Sequence, residues 1–192
     1  MQRRNVVIAT VAVVVLLVIG LTQLGGTSGS GGGGAAPSRS AAQRQLAGSP
    51  PKLDALHAQA DQLLDGRALK PQIAALKGYP IVVNIWGSWC VPCRQEFPVF
   101  QRMSAALGKR VAFLGVDTQD PVSDAKKFLR DHPVTYPSYQ DIDGSLAKSF
   151  GIIGTPSTIY YDKNGKKAYL HQGPYRKDAD LRADIERYAA VD

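Results

Sequence analysis

The sequence predicts an α/β domain whose mixed central β-sheet is covered by helices on both faces. Three observations support this fold class. Short apolar, β-branched runs alternate with helical patterns in the first part of the domain, which is typical of parallel βαβ units. An Asn-Gly turn then joins two further strand-like runs, and an amphipathic helix closes the chain. Parallel strands followed by an antiparallel hairpin give a mixed sheet.

The parallel part starts at Ile81–Trp86, a run of β-branched and aromatic residues of the kind that is buried on both faces of a sheet. Val91–Leu107 follows as a helix, because apolar side chains recur there every three or four residues. Residues 111–116 form the next buried strand. A second helix is expected to have Asp120 as its N-cap and Pro121 at its first position, and to end at about residue 131 before another proline.

The antiparallel part is organised around the segment Asp162-Lys163-Asn164-Gly165. Its Asn-Gly pair favours the tight turn of a β-hairpin, because both residues tolerate the left-handed backbone region. Residues 157–161 and 167–171 are the two strands of this hairpin. The other expected elements are a strand at 136–139, a helix at 141–150 and a final helix at 179–189.

Charge is distributed unevenly along the chain. Residues 1–50 contain four arginines and no acidic residue, whereas the remainder carries 19 Lys and Arg against 16 Asp and Glu. Most of the net charge of +7 therefore comes from the N-terminal part and not from the folded domain. Because the domain has no basic stripe interleaved with aromatic residues, we expect no nucleic-acid partner.

The N-terminal part predicts a membrane-attached protein. Residues 6–24 are almost entirely apolar and would span roughly 28 Å as a helix, close to the thickness of a bilayer core. Two arginines precede this segment, so residues 1–5 stay cytoplasmic and the rest is delivered outside the cytoplasm. Residues 25–51 are rich in Gly, Ser, Ala and Pro and are expected to form a flexible linker before a folded domain at 52–192.

Two interpretations of the apolar segment 6–24 stay open, a retained anchor and a cleaved signal peptide. As a retained signal-anchor, it makes the chain a single-pass protein of the cell membrane with its domain on the extracytoplasmic side. As a signal peptide that is cleaved, it leaves a secreted domain.

Cys90 and Cys93 are the only cysteines, and they stand in a Trp-Cys-Val-Pro-Cys motif directly after a predicted strand. A bridge across two intervening residues closes too short a loop to stabilise a fold appreciably. A zinc site needs further ligands, and the three histidines of the chain are isolated from one another. The motif therefore predicts a dithiol that cycles between reduced and oxidised forms, with no metal or other cofactor.

The position of the motif at a helix start gives each cysteine a role. Cys90 lies where unpaired N–H groups and the helix dipole favour a thiolate, so it is the expected nucleophile. Cys93 lies one turn further on and is placed to attack a mixed disulfide on Cys90. Pro92 lies in the first turn, where no N–H is needed, and it restrains the backbone between the sulfurs.

Three segments together resemble the thioredoxin fold and, within it, the membrane-anchored TlpA/ResA/DsbE-like thiol-disulfide oxidoreductases. They are residues 84–98, which contain the cysteines, residues 151–157, which read Gly-Ile-Ile-Gly-Thr-Pro-Ser, and residues 162–166, which read Asp-Lys-Asn-Gly-Lys. The resemblance covers roughly residues 76–189.

The resemblance implies further site residues. Pro156 is expected to form a cis peptide facing the cysteines, and the backbone of Thr155 to pair with an extended partner segment. Thioredoxin has an aspartate where Asn84 stands, and Glu96 is expected to replace it as the active-site acid beside Cys93. Trp89 is expected at the rim of the substrate-binding surface, together with Pro92.

The resemblance also implies a function with alternatives. The leading hypothesis is a reductase that receives electrons from a membrane-embedded donor and reduces protein disulfides, such as those of apocytochromes c during cytochrome c maturation. The same residues permit the reverse, an oxidant that passes its disulfide to secreted thiol-bearing proteins through a membrane-embedded acceptor. A third hypothesis is a Cu(I)-binding chaperone, since two thiolates suit Cu(I).

Overall fold

The computed structural model describes residues 34–189 and contains a mixed six-stranded sheet with helices on both faces. The helices are α1 (Arg39–Leu46), α2 (Pro51–His57), α3 (Leu69–Ala75), α4 (Val91–Leu107), α5 (Val122–Asp131), α6 (Ser145–Ser149) and α7 (Asp178–Tyr188). The strands are β1 (Leu63–Asp65), β2 (Ile81–Trp86), β3 (Ala112–Thr118), β4 (Ser138–Asp141), β5 (Ser157–Tyr161) and β6 (Lys167–Gln172). The predicted thioredoxin-like α/β architecture is therefore confirmed.

The sheet has the strand order β1-β4-β3-β2-β5-β6. Strands β1 to β4 pair in parallel, and β5 and β6 add antiparallel to β2 and to each other. β2 and β3 lie in the middle and are buried along their whole length, because helices cover both faces there. Their carboxyl ends meet at one edge of the sheet, and α4 begins beside that edge.

The core has two layers, one on each face of the sheet. The face covered by α4, α5 and α7 holds a cluster of aromatic side chains, in which Trp86 packs against Phe97 and Phe128 with ring centroids 5.2 and 4.9 Å away. Aliphatic residues fill the opposite face under α2, α3 and α6. The aromatic layer continues without a break to the cysteine pair, since Cys90 and Cys93 belong to the same buried cluster.

The Asn-Gly hairpin forms as predicted. The Asp162 carboxylate accepts hydrogen bonds from the backbone N–H groups of Asn164 and Lys166, both at 2.9 Å. Gly165 has a φ of +77°, a conformation that an L-residue adopts only at a cost. This turn places β5 and β6 side by side as antiparallel strands.

The segment expected to be a flexible linker is structured over part of its length, which corrects the prediction for residues 34–51. Ser38 caps α1 by accepting a hydrogen bond from the N–H of Ala41, and Leu46 buries its side chain as α1 packs on α4. An ion pair of 2.5 Å joins Arg39 to Asp61. These tertiary contacts outweigh a composition that favours flexibility.

Three predicted elements have other boundaries in the structure. Pro121, not Asp120, is the extended residue before α5, because the Asp120 side chain bonds elsewhere. The strand expected at 136–139 lies at Ser138–Asp141, and the following helix covers only Ser145–Ser149. There the carboxylate of Asp141 accepts from the N–H groups of Leu146 and Ala147, so Asp141 ends a strand and does not start a helix.

The predicted cytoplasmic residues 1–5, the membrane-spanning segment 6–24 and most of the linker lie outside the described residues. Within residues 34–189, no helix combines the length and the apolar character that crossing a bilayer requires.

We predict that Gly115→Ala destabilises the domain by about 1–3 kcal/mol, because the added methyl group overpacks the core beneath the site. Its Cβ would lie 2.2 Å from Ser138 Oγ and 3.0 Å from Trp86 Nε1. Urea unfolding measures the change. Gly154→Ala is the matched control, since its Cβ meets nothing within 4 Å. Equal unfolding free energies for the two variants would show that the contact with Trp86 does not constrain residue 115.

Candidate active site

Cys90 and Cys93 form a disulfide at the N-terminus of α4, with an S–S distance of 1.98 Å. Cys90 has an extended backbone and is the N-cap residue, so its sulfur accepts a hydrogen bond of 3.2 Å from the N–H of Cys93. Val91 and Pro92 are the first two helical residues, where a missing N–H leaves no carbonyl unpaired. Both cysteines are buried: Cys93 is completely buried, and Cys90 is 3% exposed.

Glu96 lies one turn further along α4, completely buried, on the same side of the helix as Cys93. Its Oε1 accepts a hydrogen bond of 2.7 Å from the Asn84 side chain of β2, and its Oε2 accepts one of 3.2 Å from the N–H of Tyr175. Removal from water raises the pKa of Glu96 to about 8, although both hydrogen bonds oppose that rise. The carboxyl group is therefore mostly neutral at pH 7.

The resemblance implied that Glu96 replaces the acid missing at residue 84, and the structure adds a hydrogen bond between the two side chains. The amide of Asn84 stands on the strand, where thioredoxin has its acid, and the carboxyl group comes from the helix instead. Sequence reasoning missed Tyr175, because its partner Glu96 lies 79 residues away in the chain. Tyr175 is buried, and its ring lies 6.3 Å from that of Phe100 on α4. No local sequence signal identifies its backbone N–H as a partner of Glu96.

The loop between β2 and α4 is held at Ser88 from two sides. Asp120, in the loop after β3, accepts hydrogen bonds from the Ser88 N–H at 2.5 Å and from the Ser88 hydroxyl at 2.8 Å. Arg94, on the first turns of α4, donates from Nε and Nη2 to the Ser88 carbonyl oxygen at 2.9 and 2.6 Å. Because Ser88 lies two residues before Cys90, these bonds set the course of the chain into the disulfide.

The rim of the site is apolar and exposed. Trp89 is 52% exposed, and its ring N–H donates to the carbonyl oxygen of Gln119 at 3.1 Å, which holds the indole beside the disulfide. Trp86 is fully buried, as expected for a core residue. The Thr155–Pro156 peptide is cis, Pro156 is buried and Thr155 is half-buried. A groove of about 670 Å³ has Trp89 and Thr155 in its lining and includes the highly exposed Ile153.

The structure therefore brings together Cys90, Pro92 and Cys93 at the start of α4, with Glu96 one turn further along that helix. Trp89 and Thr155 line one groove, and Pro156 follows Thr155 through a cis peptide. Sequence reasoning missed Ser88 and assigned Asp120 to a helix cap. A usable signal existed for Asp120, since side chains after neighbouring parallel strands meet at one edge of the sheet.

Residues 57–186 match the Redoxin family. The chain belongs to that family. It is 28% identical to a thiol-disulfide oxidoreductase ResA of Geobacillus thermodenitrificans over 124 residues, which are 64% of this chain and 70% of that protein. It is 38% identical to a thiol:disulfide interchange protein DsbE of Pseudomonas aeruginosa over 93 residues, which are 48% of this chain and 50% of that protein. The match thus spans only half the length of this second relative.

A solved structure of MTB dsbF in its mixed oxidized and reduced forms is similar in fold. The TM-score is 0.55 at 29% identity, over 59% of this chain and 83% of that one. With the disulfide at the start of α4, these similarities make the domain a thiol-disulfide oxidoreductase of the ResA and DsbE type.

We predict that the free energy of unfolding of Glu96→Gln falls less with rising pH than that of the wild type. The pKa of Glu96 is raised from 4.5 to about 8 on folding. Between these values the unfolded chain releases a proton that the folded protein keeps, so wild-type stability falls by about 1.4 kcal/mol per pH unit for this group. The difference in unfolding free energy between Glu96→Gln and wild type should therefore grow from about pH 5 to about pH 8 and then level off.

The control for this measurement is Glu186→Gln, because Glu186 is the only other glutamate of the chain and its side chain is 57% exposed. Its difference from wild type shows what the same substitution does at an exposed position. A difference for Glu96→Gln that does not change with pH would mean that residue 96 is ionised in the folded protein.

Proposed function

We propose that the protein is an extracytoplasmic, membrane-anchored reductase of protein disulfides, acting on the heme-binding cysteines of apocytochromes c. We infer that electrons flow from the protein to its substrate because both cysteines are buried and the carboxyl group of Glu96 on the same helix is neutral. Burial in apolar surroundings disfavours a thiolate. A dithiol that is poorly stabilised in its reduced, ionised form gives up its electrons readily and has a low reduction potential.

In this proposal Cys90 is the attacking residue. The Cys90 thiolate attacks one sulfur of a substrate disulfide, and the substrate's other sulfur leaves as a thiolate. Cys93 then loses its proton and attacks Cys90 Sγ, which releases the second substrate sulfur and forms the Cys90–Cys93 disulfide. Two electrons pass to the substrate, and the two protons needed for its thiols come from this site and from solvent. A membrane-embedded dithiol donor restores the reduced protein.

In this scheme Glu96 accepts the Cys93 proton in those molecules in which its carboxyl group is ionised, about a tenth of them at pH 7 for a pKa of about 8. It follows Cys93 by one turn of α4, and its pKa of about 8 is close to the value of about 8.5 for a free thiol. A proton transfer between two groups of similar pKa needs little free energy in either direction. The same carboxyl group can return the proton when the disulfide is reduced again.

The groove beside the disulfide is the proposed substrate-binding surface. Trp89, Ile153 and the backbone of Thr155 offer an apolar, open surface with unpaired main-chain groups, which fits an extended segment of an unfolded protein. Pro92 in the first turn of α4 and the cis Pro156 next to Thr155 are the further proposed parts of this surface. The names of the ResA and DsbE relatives describe the same class of exchange reaction.

The location outside the cytoplasm rests on the N-terminal sequence. Residues 6–24 have the length and composition of a signal-anchor, with the two arginines on its cytoplasmic side. A chain tethered in this way keeps its domain near membrane-embedded electron donors. If the segment is removed as a signal peptide, the same domain acts in the secreted state.

A second function is favoured by a different observation. Cys90 is the N-cap of α4 and its sulfur accepts the Cys93 N–H, and both features stabilise a thiolate. A stabilised thiolate raises the reduction potential and would make the protein an oxidant for secreted proteins. The two functions therefore differ in the potential of one disulfide.

We predict a reduction potential below about −220 mV, because burial of the sulfurs opposes ionisation more strongly than the single N–H contact supports it. Equilibration of the purified protein with glutathione buffers, followed by alkylation of free thiols, measures this value. A potential at or above about −180 mV would contradict the reductase and support the oxidant.

We further predict that Cys93→Ser traps substrates as mixed disulfides on Cys90, since the resolving sulfur is absent. Mass spectrometry after non-reducing capture from cells identifies the attached proteins. Cys90→Ser is the matched control and should trap none through this site. Attachment of apocytochromes c would support the proposed substrate, whereas attachment of other secreted proteins alone would contradict it.

A further inference from the structure

Tyr175 connects Glu96 to a group of polar side chains that the reaction scheme does not use. Its backbone N–H donates to Glu96 Oε2 at 3.2 Å. Its hydroxyl donates to Asp184 Oδ2 on α7 and accepts a hydrogen bond of 2.7 Å from the Tyr160 hydroxyl of β5. One residue therefore joins the buried acid of the cysteine helix to the last helix of the domain.

The backbone of Tyr175 is not held by regular secondary structure. Residues 173–177 lie between β6 and α7, so no helix or sheet ladder sets the direction of the Tyr175 N–H. The loop is fixed at its start, where the Gly173 N–H donates to the Pro156 carbonyl oxygen at 3.0 Å. At residue 175 the side chain is the anchored part, since Tyr175 is 2% exposed. The direction of its N–H therefore depends on where the ring and the hydroxyl are fixed.

The Tyr175 ring is packed between β6 and α4. It stacks on His171 of β6, with ring centroids 4.2 Å apart and an angle of 23° between the planes. Its centroid lies 6.3 Å from that of Phe100 of α4. Stacking allows a ring to slide within its plane, whereas a hydrogen bond is directional and fixes the atom that it joins. The contact with Asp184 therefore sets how deeply the ring is seated.

Asp184 stands on a firmly held part of α7. Leu181 and Ile185 of this helix are completely buried in the core. Arg102 of α4 forms an ion pair of 2.8 Å with Asp178 at the start of the same helix. A carboxylate also accepts a stronger hydrogen bond than a neutral oxygen does. Asp184 is therefore a fixed point for the Tyr175 hydroxyl relative to α4.

The titratable groups nearest to Glu96 stay neutral over the ordinary pH range. Burial raises the pKa of Tyr136 and Tyr160 above the usual tyrosine value, and the charge of Glu96 adds to this rise. Burial has the same effect on the pKa of the Tyr175 hydroxyl. Because disulfide-bonded cysteines do not titrate, Glu96 is the group expected to change its charge here in the oxidised protein.

The charged groups around Asp184 lie on β6 and α7. His171 Nδ1 is 3.5 Å from Asp184 Oδ2, the oxygen that accepts from the Tyr175 hydroxyl. The charge of Asp184 also reaches Tyr169 of β6, as does that of Arg187 on α7. The causes that set the pKa of Glu96 are burial, the Asn84 amide and the Tyr175 N–H. Asp184 therefore acts on Glu96 through Tyr175 and not through its own charge.

We propose that Asp184 is a positioning residue for the exchange reaction: it anchors the Tyr175 hydroxyl and thereby keeps the Tyr175 N–H on Glu96. The proposal rests on the role of Glu96 as proton acceptor in the proposed function. A donated N–H favours the ionised form of a carboxyl group, and the ionised form is the one that accepts the Cys93 proton. Loss of the anchor therefore reduces the fraction of molecules in which Glu96 can take this proton.

The first test measures the titration of Glu96 in the oxidised full-length chain in detergent micelles. Glu96 and Glu186 are the only glutamates of the chain, so ¹³C labelling of the glutamate carboxyl carbon gives two resonances that titrate. We expect the Glu96 midpoint near pH 8 in wild type. In Asp184→Ala it should lie about one pH unit higher, as expected when a hydrogen bond to a charged group is weakened. The Glu186 midpoint should be equal in both proteins.

Two further variants separate the anchor from the charge of Asp184. Asp184→Asn removes the charge and keeps an oxygen that can accept from Tyr175, so its Glu96 midpoint should match that of wild type. Tyr175→Phe keeps the backbone N–H and removes the hydroxyl, so it should raise the Glu96 midpoint as Asp184→Ala does. The double variant should equal either single variant, because both changes remove one contact. Unshifted midpoints in Asp184→Ala and Tyr175→Phe, or equal shifts in Asp184→Asn and Asp184→Ala, would overturn the proposal.

The second test measures the reaction of the reduced protein with excess 5,5′-dithiobis(2-nitrobenzoate). Attack by Cys90 on this aromatic disulfide releases one aromatic thiolate and leaves a mixed disulfide. Attack by Cys93 on Cys90 Sγ then releases the second aromatic thiolate and forms the Cys90–Cys93 disulfide. At pH 7 we expect the second phase to be about tenfold slower in Asp184→Ala, since a titration one pH unit higher leaves about a tenth as much ionised Glu96. The first phase should be unchanged.

The two readouts distinguish this proposal from the proposed function. A shifted Glu96 titration with an unchanged second phase would support the anchoring of Tyr175 and overturn the role of Glu96 as proton acceptor. Asp180→Ala is the matched control, because Asp180 is an exposed aspartate one turn earlier on α7. It should leave both readouts as in wild type. An effect of Asp180→Ala equal to that of Asp184→Ala would assign the shift to the charge of α7 and overturn the proposal.

Discussion

The contact between the inner face of α4 and the central sheet is the constraint on which the rest of this domain depends. Cys93, Glu96, Phe97 and Phe100 follow one another at helical spacing and are all buried. Packing the two aromatic rings onto the sheet therefore takes a sulfur and a carboxyl group out of water with them. Two features reduce the free-energy cost of burying Glu96: Asn84 donates a hydrogen bond to its carboxyl group, and that group is mostly neutral at pH 7.

The same packing leaves two desolvated acids in the core. Glu96 comes from the helix that carries the cysteines, whereas Asp117 comes from the neighbouring strand β3. Burial raises both pKa values to about 8, but only Asp117 has other acids as its next largest influences. Glu96 accepts a hydrogen bond on each oxygen, which fixes the position of its carboxyl group. Neither oxygen of Asp117 has a donor within the described residues, so a proton on Asp117 avoids an uncompensated buried charge.

Local patterns predicted the elements that carry the chemistry better than those around them. Ile81–Trp86 and Val91–Leu107 form as expected, because the apolar β-branched run, the proline at the second helical position and the cysteine cap are local features of the chain. The N-terminal helices and β1 escaped prediction. They are short, and a helix such as Arg39–Leu46 is stabilised by packing on α4 more than by its own sequence. Asp120 was misassigned because its donors come from Ser88, 32 residues away.

By itself, the sequence determined the redox pair, the order of the main strands and helices, and the presence of an acid one turn after Cys93, since each depends on residues close together in the chain. Only the tertiary structure decided that this acid is buried and neutral. Its partners, Asn84 and Tyr175, lie 12 and 79 residues away, and its pKa is set by the water that they and the core exclude. Burial is a property of the assembled layers, so no local pattern can state it.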